Sequence, residues 1–138
     1  MTTGKVDIPI YGNLLHIVII GDFIKDLHEF NKKYRSTLTA EDEVLGFMEQ
    51  RGNHILVVIN VGKHRRIYPK EPKREVEIIA TICHESVHAC NVLFRDKGIE
   101  LDLNNDEPQA YLTDWIMKEV YKTYLKFRKN ESIIQHRK

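Results

Sequence analysis

Hydrophobic positions along the chain change their period three times, and each change marks an element. The run Leu14–Ile20, LLHIVII, is continuous, rich in β-branched residues and closed by Gly21, which predicts a buried strand. Asp22 then stands where a helix N-cap belongs, and Phe23, Leu27, Phe30 and Tyr34 recur at helical spacing over FIKDLHEFNKKY. Residues 35–42 are polar and read as loop. EVLGFMEQ, RGN and HILVVINV predict a β-hairpin turning at Gly52-Asn53. Its second arm, His54–Val61, carries the strongest strand pattern in the chain. The stretch 62–75 holds two prolines and seven Lys, Arg or His residues and reads as a loop.

From Arg74 the period becomes helical. Val76, Ile79, Ala80, Cys83, Val87, Cys90 and Phe94 recur at steps of three and four, predicting one long helix to Lys97. Gly98 is suited to end it, and Arg95 and Lys97 favour the negative end of its dipole. After a link over 99–104, Asn105 or Asp106 can cap a final helix, with Pro108 tolerated in its first turn. That helix runs to about residue 129, offering Tyr111, Leu112, Trp115, Ile116, Val120, Tyr124 and Phe127 as its apolar face. The order predicts one α+β domain over residues 1–130, with a flexible tail at 131–138. A small, mostly antiparallel sheet would pack on the long helix and on a second helix antiparallel to it.

Composition changes this picture little. The 138 residues can bury a real core, and a net charge of +1 selects no nucleic-acid, membrane or acidic partner. Cys83 and Cys90 lie seven apart, about 10 Å on a helix, too far for a mutual disulfide. They read as small buried hydrophobes. The first residues lack a long apolar segment, and Ile17–Ile20 is too short to span a bilayer, so the expectation is a soluble, cytoplasmic protein.

The candidate chemistry lies in the long helix. His84-Glu85-Ser86-Val87-His88 places two imidazoles four residues apart, one above the other on one helix face, where both can reach one metal ion. Glu85 sits beside that face, placed to act on a water as general base without taking a coordination position. A catalytic zinc takes three protein ligands and keeps one position open. Eighteen residues, 89–106, separate His88 from Glu107, and a helix reversal near Gly98 would bring Glu107 back beside His88. Asp106 competes with Glu107 for that role.

This pattern resembles the gluzincin zinc metallopeptidases, whose second active-site helix supplies a glutamate as third zinc ligand. The aminopeptidase branch of that class uses the same eighteen-residue gap and often carries Asn-Glu-x-x-Ala. Here the stretch is Asp106-Glu107-Pro108-Gln109-Ala110. The resemblance covers roughly residues 53–129 and extends to the compact HExxH proteins of bacteriophages and mobile elements, which would place the protein in a host cytoplasm. It implies a minimal zincin-like fold and a Zn2+ ion held by His84, His88 and Glu107. It implies peptide-bond hydrolysis with Glu85 as general base. The substrate would be a peptide or protein lying extended along the strand 54–61.

The sequence departs from the class in three places. Tyr111 occupies the position where the thermolysin-like branch has an aspartate. No helical domain follows to form a second cleft wall. No oxyanion-stabilising residue is recognisable, and Tyr111 is the candidate, with a core-packing role as its competitor. A non-catalytic zinc-binding interaction module, of the phage inhibitor or assembly-factor type, therefore stands as the alternative. A deformylase-like amidase ranks lower because that family's cysteine motif is absent. Lys63-His64-Arg65-Arg66 reads as a solvated loop rather than a nucleic-acid contact, and His16, His28, His54, His64 and His136 show no ligand spacing.

Overall fold

The computed structural model describes residues 1–137. Four strands, β1 (Thr2–Asp7), β2 (Leu14–Ile20), β3 (Gly46–Arg51) and β4 (His54–Asn60), form one sheet in the order β1-β2-β4-β3. Among the described residues the helices are α1 (Phe23–Tyr34), α2 (Val61–Ile67), α3 (Lys73–Asp96) and α4 (Glu107–His136), with one 3-10 turn at Ala40–Asp42. The α+β class is as expected. The sheet is mixed: β1–β2 and β3–β4 pair antiparallel, but the central β2–β4 pair is parallel.

The central strands are apolar on both faces over most of their length because helices cover one face fully and the other at one end. Leu15, Ile17, Ile19, Ile55, Val57 and Ile59 point to one side and pack with α3 and α4. Val18, Ile20, Leu56 and Val58 point to the other and pack with Phe23 and Phe30 of α1. The long helices lie antiparallel on one face, as expected; the helix on the opposite face makes the architecture three-layered.

Several local signals act as expected. Asp22 accepts from the Lys25 amide at 3.2 Å and caps α1. Arg51 pairs with His54 across the hairpin turn, where Gly52 takes φ +55°, a conformation costly for other residues. Gly98, at φ +66°, follows the end of α3.

Other expectations are corrected. Residues 61–67 are helical, because the Asn60 side chain accepts from the Lys63 amide at 3.0 Å and starts a short turn of helix without apolar periodicity. Strand β1 is an additional edge strand. Helix α4 runs on to His136, past the expected end near residue 129, and Arg65 grips Glu131 with two hydrogen bonds of 2.8 and 2.6 Å. Lys138 lies outside the described residues. Cys90 is buried but Cys83 is exposed.

One backbone contact sets where α2 leaves the sheet. A Cβ on Gly62 would lie 2.3 Å from the Gly21 carbonyl oxygen, which is backbone and cannot swing aside. Gly62→Ala is therefore expected to destabilise the protein by about 1–3 kcal/mol, read as a lower urea midpoint at unchanged slope.

Candidate metal and catalytic site

Helix α3 is buried on two sides, against the sheet and against α4. Its buried residues include Ile78, Ile82, Glu85, Ser86, Ala89, Cys90, Val92, Leu93 and Phe94. Val76, Ala80, Cys83 and Val87, expected in the apolar stripe, are exposed. The helix is thus rolled by about one residue step, roughly 100°, from the expected orientation. That roll turns His84 and His88 to the surface and tucks Glu85 inward.

His84 and His88 lie one turn apart, edge to face with ring planes at 81°, and their Nε2 atoms are 3.1 Å apart. Two nitrogens bound to one tetrahedral zinc at the usual bond lengths stand about 3.3–3.4 Å apart. The pair therefore fits a single ion with little movement. Glu85 is only 6% exposed, and its Oε1 lies 4.0 Å from His84 Nε2. Burial raises its carboxyl pKa, and the neighbouring His84 and His88 oppose the rise.

A groove of about 340 Å³ opens beside these residues, between α3 and the start of β3, lined by Leu45, Gly46, Ala80, Thr81, His84 and Glu85. Gly46 permits it. A Cβ there would lie 2.7 Å from Thr81 Cγ2 and 3.4 Å from Glu85 Cγ, so the missing side chain lets strand and helix approach.

The expected peptide-binding strand is corrected. β4 is hydrogen-bonded on both sides, to β2 and to β3, and has no free edge to offer. The free edge beside the groove belongs to β3.

Glu107 is not gathered with the histidines. Among the described residues, no three His, Cys, Asp or Glu side chains form a group that could hold a metal ion. The helix register explains this. Cys90 Sγ donates to the Gln109 carbonyl at 3.7 Å, Gln109 bonds Asn91 at 3.0 Å, and Tyr124 bonds Glu75 at 2.6 Å. These contacts set His88 roughly level with residues 111–112, so Glu107 lies about four to five residues, or roughly 6–8 Å, further along the axis. The reversal between the helices spans residues 97–106 rather than the expected short link. Asp106 and Glu107 are both exposed at the start of α4, and Tyr111 is 70% exposed on its next turn.

His64, expected in a solvated loop, is a residue of α2 that is fully buried against α3. Its Nδ1 lies 2.7 Å from the Asn60 carbonyl, which only accepts, so Nδ1 carries the proton. Its Nε2 lies 2.8 Å from the Thr81 hydroxyl, which is also 3.0 Å from the Glu77 carbonyl. Burial lowers the His64 pKa, outweighing the Asn60 bond and the Glu77 charge, and favours a neutral ring. His64 thereby holds Thr81, a groove residue one turn before the histidine pair. No sequence spacing marks it.

Comparison with protein-family models, curated proteins and solved structures finds no match to the chain. No helix among the described residues is long and apolar enough to cross a membrane.

Proposed function

We propose that the protein is a zinc-dependent hydrolase of peptide bonds, with His84 and His88 as metal ligands and Glu85 as general base. The observation that carries the reading is the convergence of the two Nε2 atoms, 3.1 Å apart, beside a buried carboxylate at the mouth of a groove. Placing a carboxylate at that depth is costly unless a cation pairs with it or it takes up a proton. A bound zinc would supply Lewis-acid polarisation of a water and of the scissile carbonyl.

The residues of the chain divide the remaining work. His84 and His88 would hold the ion at the helix surface. Glu85 takes a proton from the attacking water and passes it to the leaving amine. The free edge of β3 offers backbone donors and acceptors to an extended peptide, which Gly46 allows to lie close to α3. Glu107 is the proposed third ligand, on its eighteen-residue spacing from His88, and Tyr111, exposed on the same helix, the proposed oxyanion donor.

The open, exposed setting of His84 and the distance of Glu107 favour a second reading, a zinc-binding interaction module without turnover. Elemental analysis separates the ligand assignments. Purified protein is expected to carry about one zinc per chain, His88→Ala to carry none, and Glu107→Ala to bind roughly ten- to a hundredfold more weakly. Wild-type protein that neither carries nor takes up zinc would overturn both readings; unchanged affinity in Glu107→Ala would remove that residue from the site.

A further inference from the structure

A second cluster of chemistry lies on the opposite face of the sheet. Helix α1 covers only one end of that face, over Val18, Ile20 and Val58. At the uncovered end, the parallel pairing of β2 with β4 brings together His16 and His54, 38 residues apart in sequence, with His16 Nε2 2.8 Å from His54 Nδ1. They line a cleft of about 360 Å³ with Tyr34, Lys33, Arg35 and Leu56. Lys5, the cross-strand partner of His16, extends it over β1.

The charge in this cleft is one-sided. Its one lining carboxylate, Glu49, is held by Arg51 at 3.0 Å. Arg51 also covers the Tyr34 and Arg35 carbonyls at the end of α1. Among the described residues, Lys5, Lys33 and Arg35 form no ion pair. Three cations and two imidazoles thus face a concave surface whose wall is the Tyr34 ring and Leu56. These groups converge on one concave site of about 360 Å³, a size that suits a compact anion better than an extended nucleic-acid backbone.

We infer that this cleft binds the phosphate of a small phosphomonoester, with Tyr34 and Leu56 against the organic part and Lys5, Lys33, Arg35 and the imidazole pair on the phosphate. The paired rings add a proton dependence. In the neutral pair one proton lies between the rings, and only one of the outward nitrogens, His16 Nδ1 or His54 Nε2, is a donor. One added proton makes both outward nitrogens donors, which a dianion favours. In the free protein that proton is resisted: burial lowers the His16 pKa, and His54, Lys5 and Lys33 lower it further. Tyr34 of α1 and the Glu49–Arg51 pair of β3 are the other titratable groups facing the cleft. The bound phosphate supplies the negative charge that reverses the balance, so affinity rises as pH falls toward the phosphate's own second pKa, about 6.

Calorimetric titration with adenosine 5′-monophosphate, inorganic phosphate and adenosine, in the presence of a chelator, tests the assignment. The monophosphate and phosphate are expected to bind and adenosine not to. Lys33→Gln and His16→Gln, both at the surface of the cleft, are expected each to weaken the monophosphate by about tenfold or more with unchanged circular dichroism. Wild-type affinity is expected to fall between about pH 6.5 and about pH 8.5. Equal affinity for adenosine, absence of binding by both phosphates, or unchanged affinity in both variants overturns the inference. So does a short single-stranded oligonucleotide without terminal phosphates that binds more tightly than the monophosphate. The chelator removes the α3 metal site from the measurement, so the result is independent of the hydrolase reading.

Discussion

Glu85→Gln is expected to lower peptide hydrolysis by about a hundredfold to ten-thousandfold while leaving zinc content unchanged. Glutamine keeps the size and shape of the side chain, which matters at a position 6% exposed and packed near Gly46. It cannot take up the proton that the attacking water must lose. Its oxygen still faces the site, and the two imidazoles that hold the ion are untouched. Hydrolysis and zinc content measured on the same preparation separate three roles. Loss of activity with full zinc identifies a base. Loss of both identifies a ligand. Unchanged activity sinks the role assigned to Glu85. If wild-type protein binds zinc yet cleaves nothing across a diverse peptide library, the interaction-module reading is the one that stands.

The second large effect concerns the orientation of α3. Ile82 is fully buried, whereas Val76, in the stripe suggested by sequence periodicity, is 61% exposed. Ile82→Ala is expected to cost about 2–5 kcal/mol, through lost burial and the cavity left behind. In a chain of this size that lowers Tm by roughly 6–20 °C. Val76→Ala is expected to change stability by less than about 0.5 kcal/mol, since it removes little buried surface and alanine favours the helix. Thermal unfolding followed by circular dichroism compares the two directly. A larger loss in Val76→Ala would mean that α3 faces the sheet with the other stripe. The histidines would then point elsewhere, so the experiment also tests the geometry on which the metal site rests.

Local sequence carries much of the architecture. β2, α1, the β3–β4 hairpin, the long HExxH helix and its successor are legible because each depends on short-range causes. These are an apolar run closed by glycine, an Asp22 cap, a positive-φ turn at Gly52, and the steric end of a helix at Gly98. The pairing of His84 with His88 is legible for the same reason: four residues on a helix are one turn, whatever surrounds it.

Four features were decided by packing between distant segments. α3 has apolar residues almost all the way round, so periodicity alone leaves its roll open; burial between the sheet and α4 selects Ile78, Ile82, Glu85 and Leu93. Strand β4 reads as a good peptide-binding strand, yet pairing on both sides consumes its backbone groups and leaves the edge to β3. Eighteen residues are enough for Glu107 to return toward His88, but the contacts of Cys90, Asn91 and Glu75 with α4 set an axial register that the spacing does not encode. His16 and His54 carry no motif and meet only because β2 and β4 run parallel. Secondary-structure preference and intrahelical spacing are local, because short-range causes set them. Helix roll, strand neighbours, axial register and the meeting of distant histidines are tertiary, because each depends on surfaces contributed by another part of the chain.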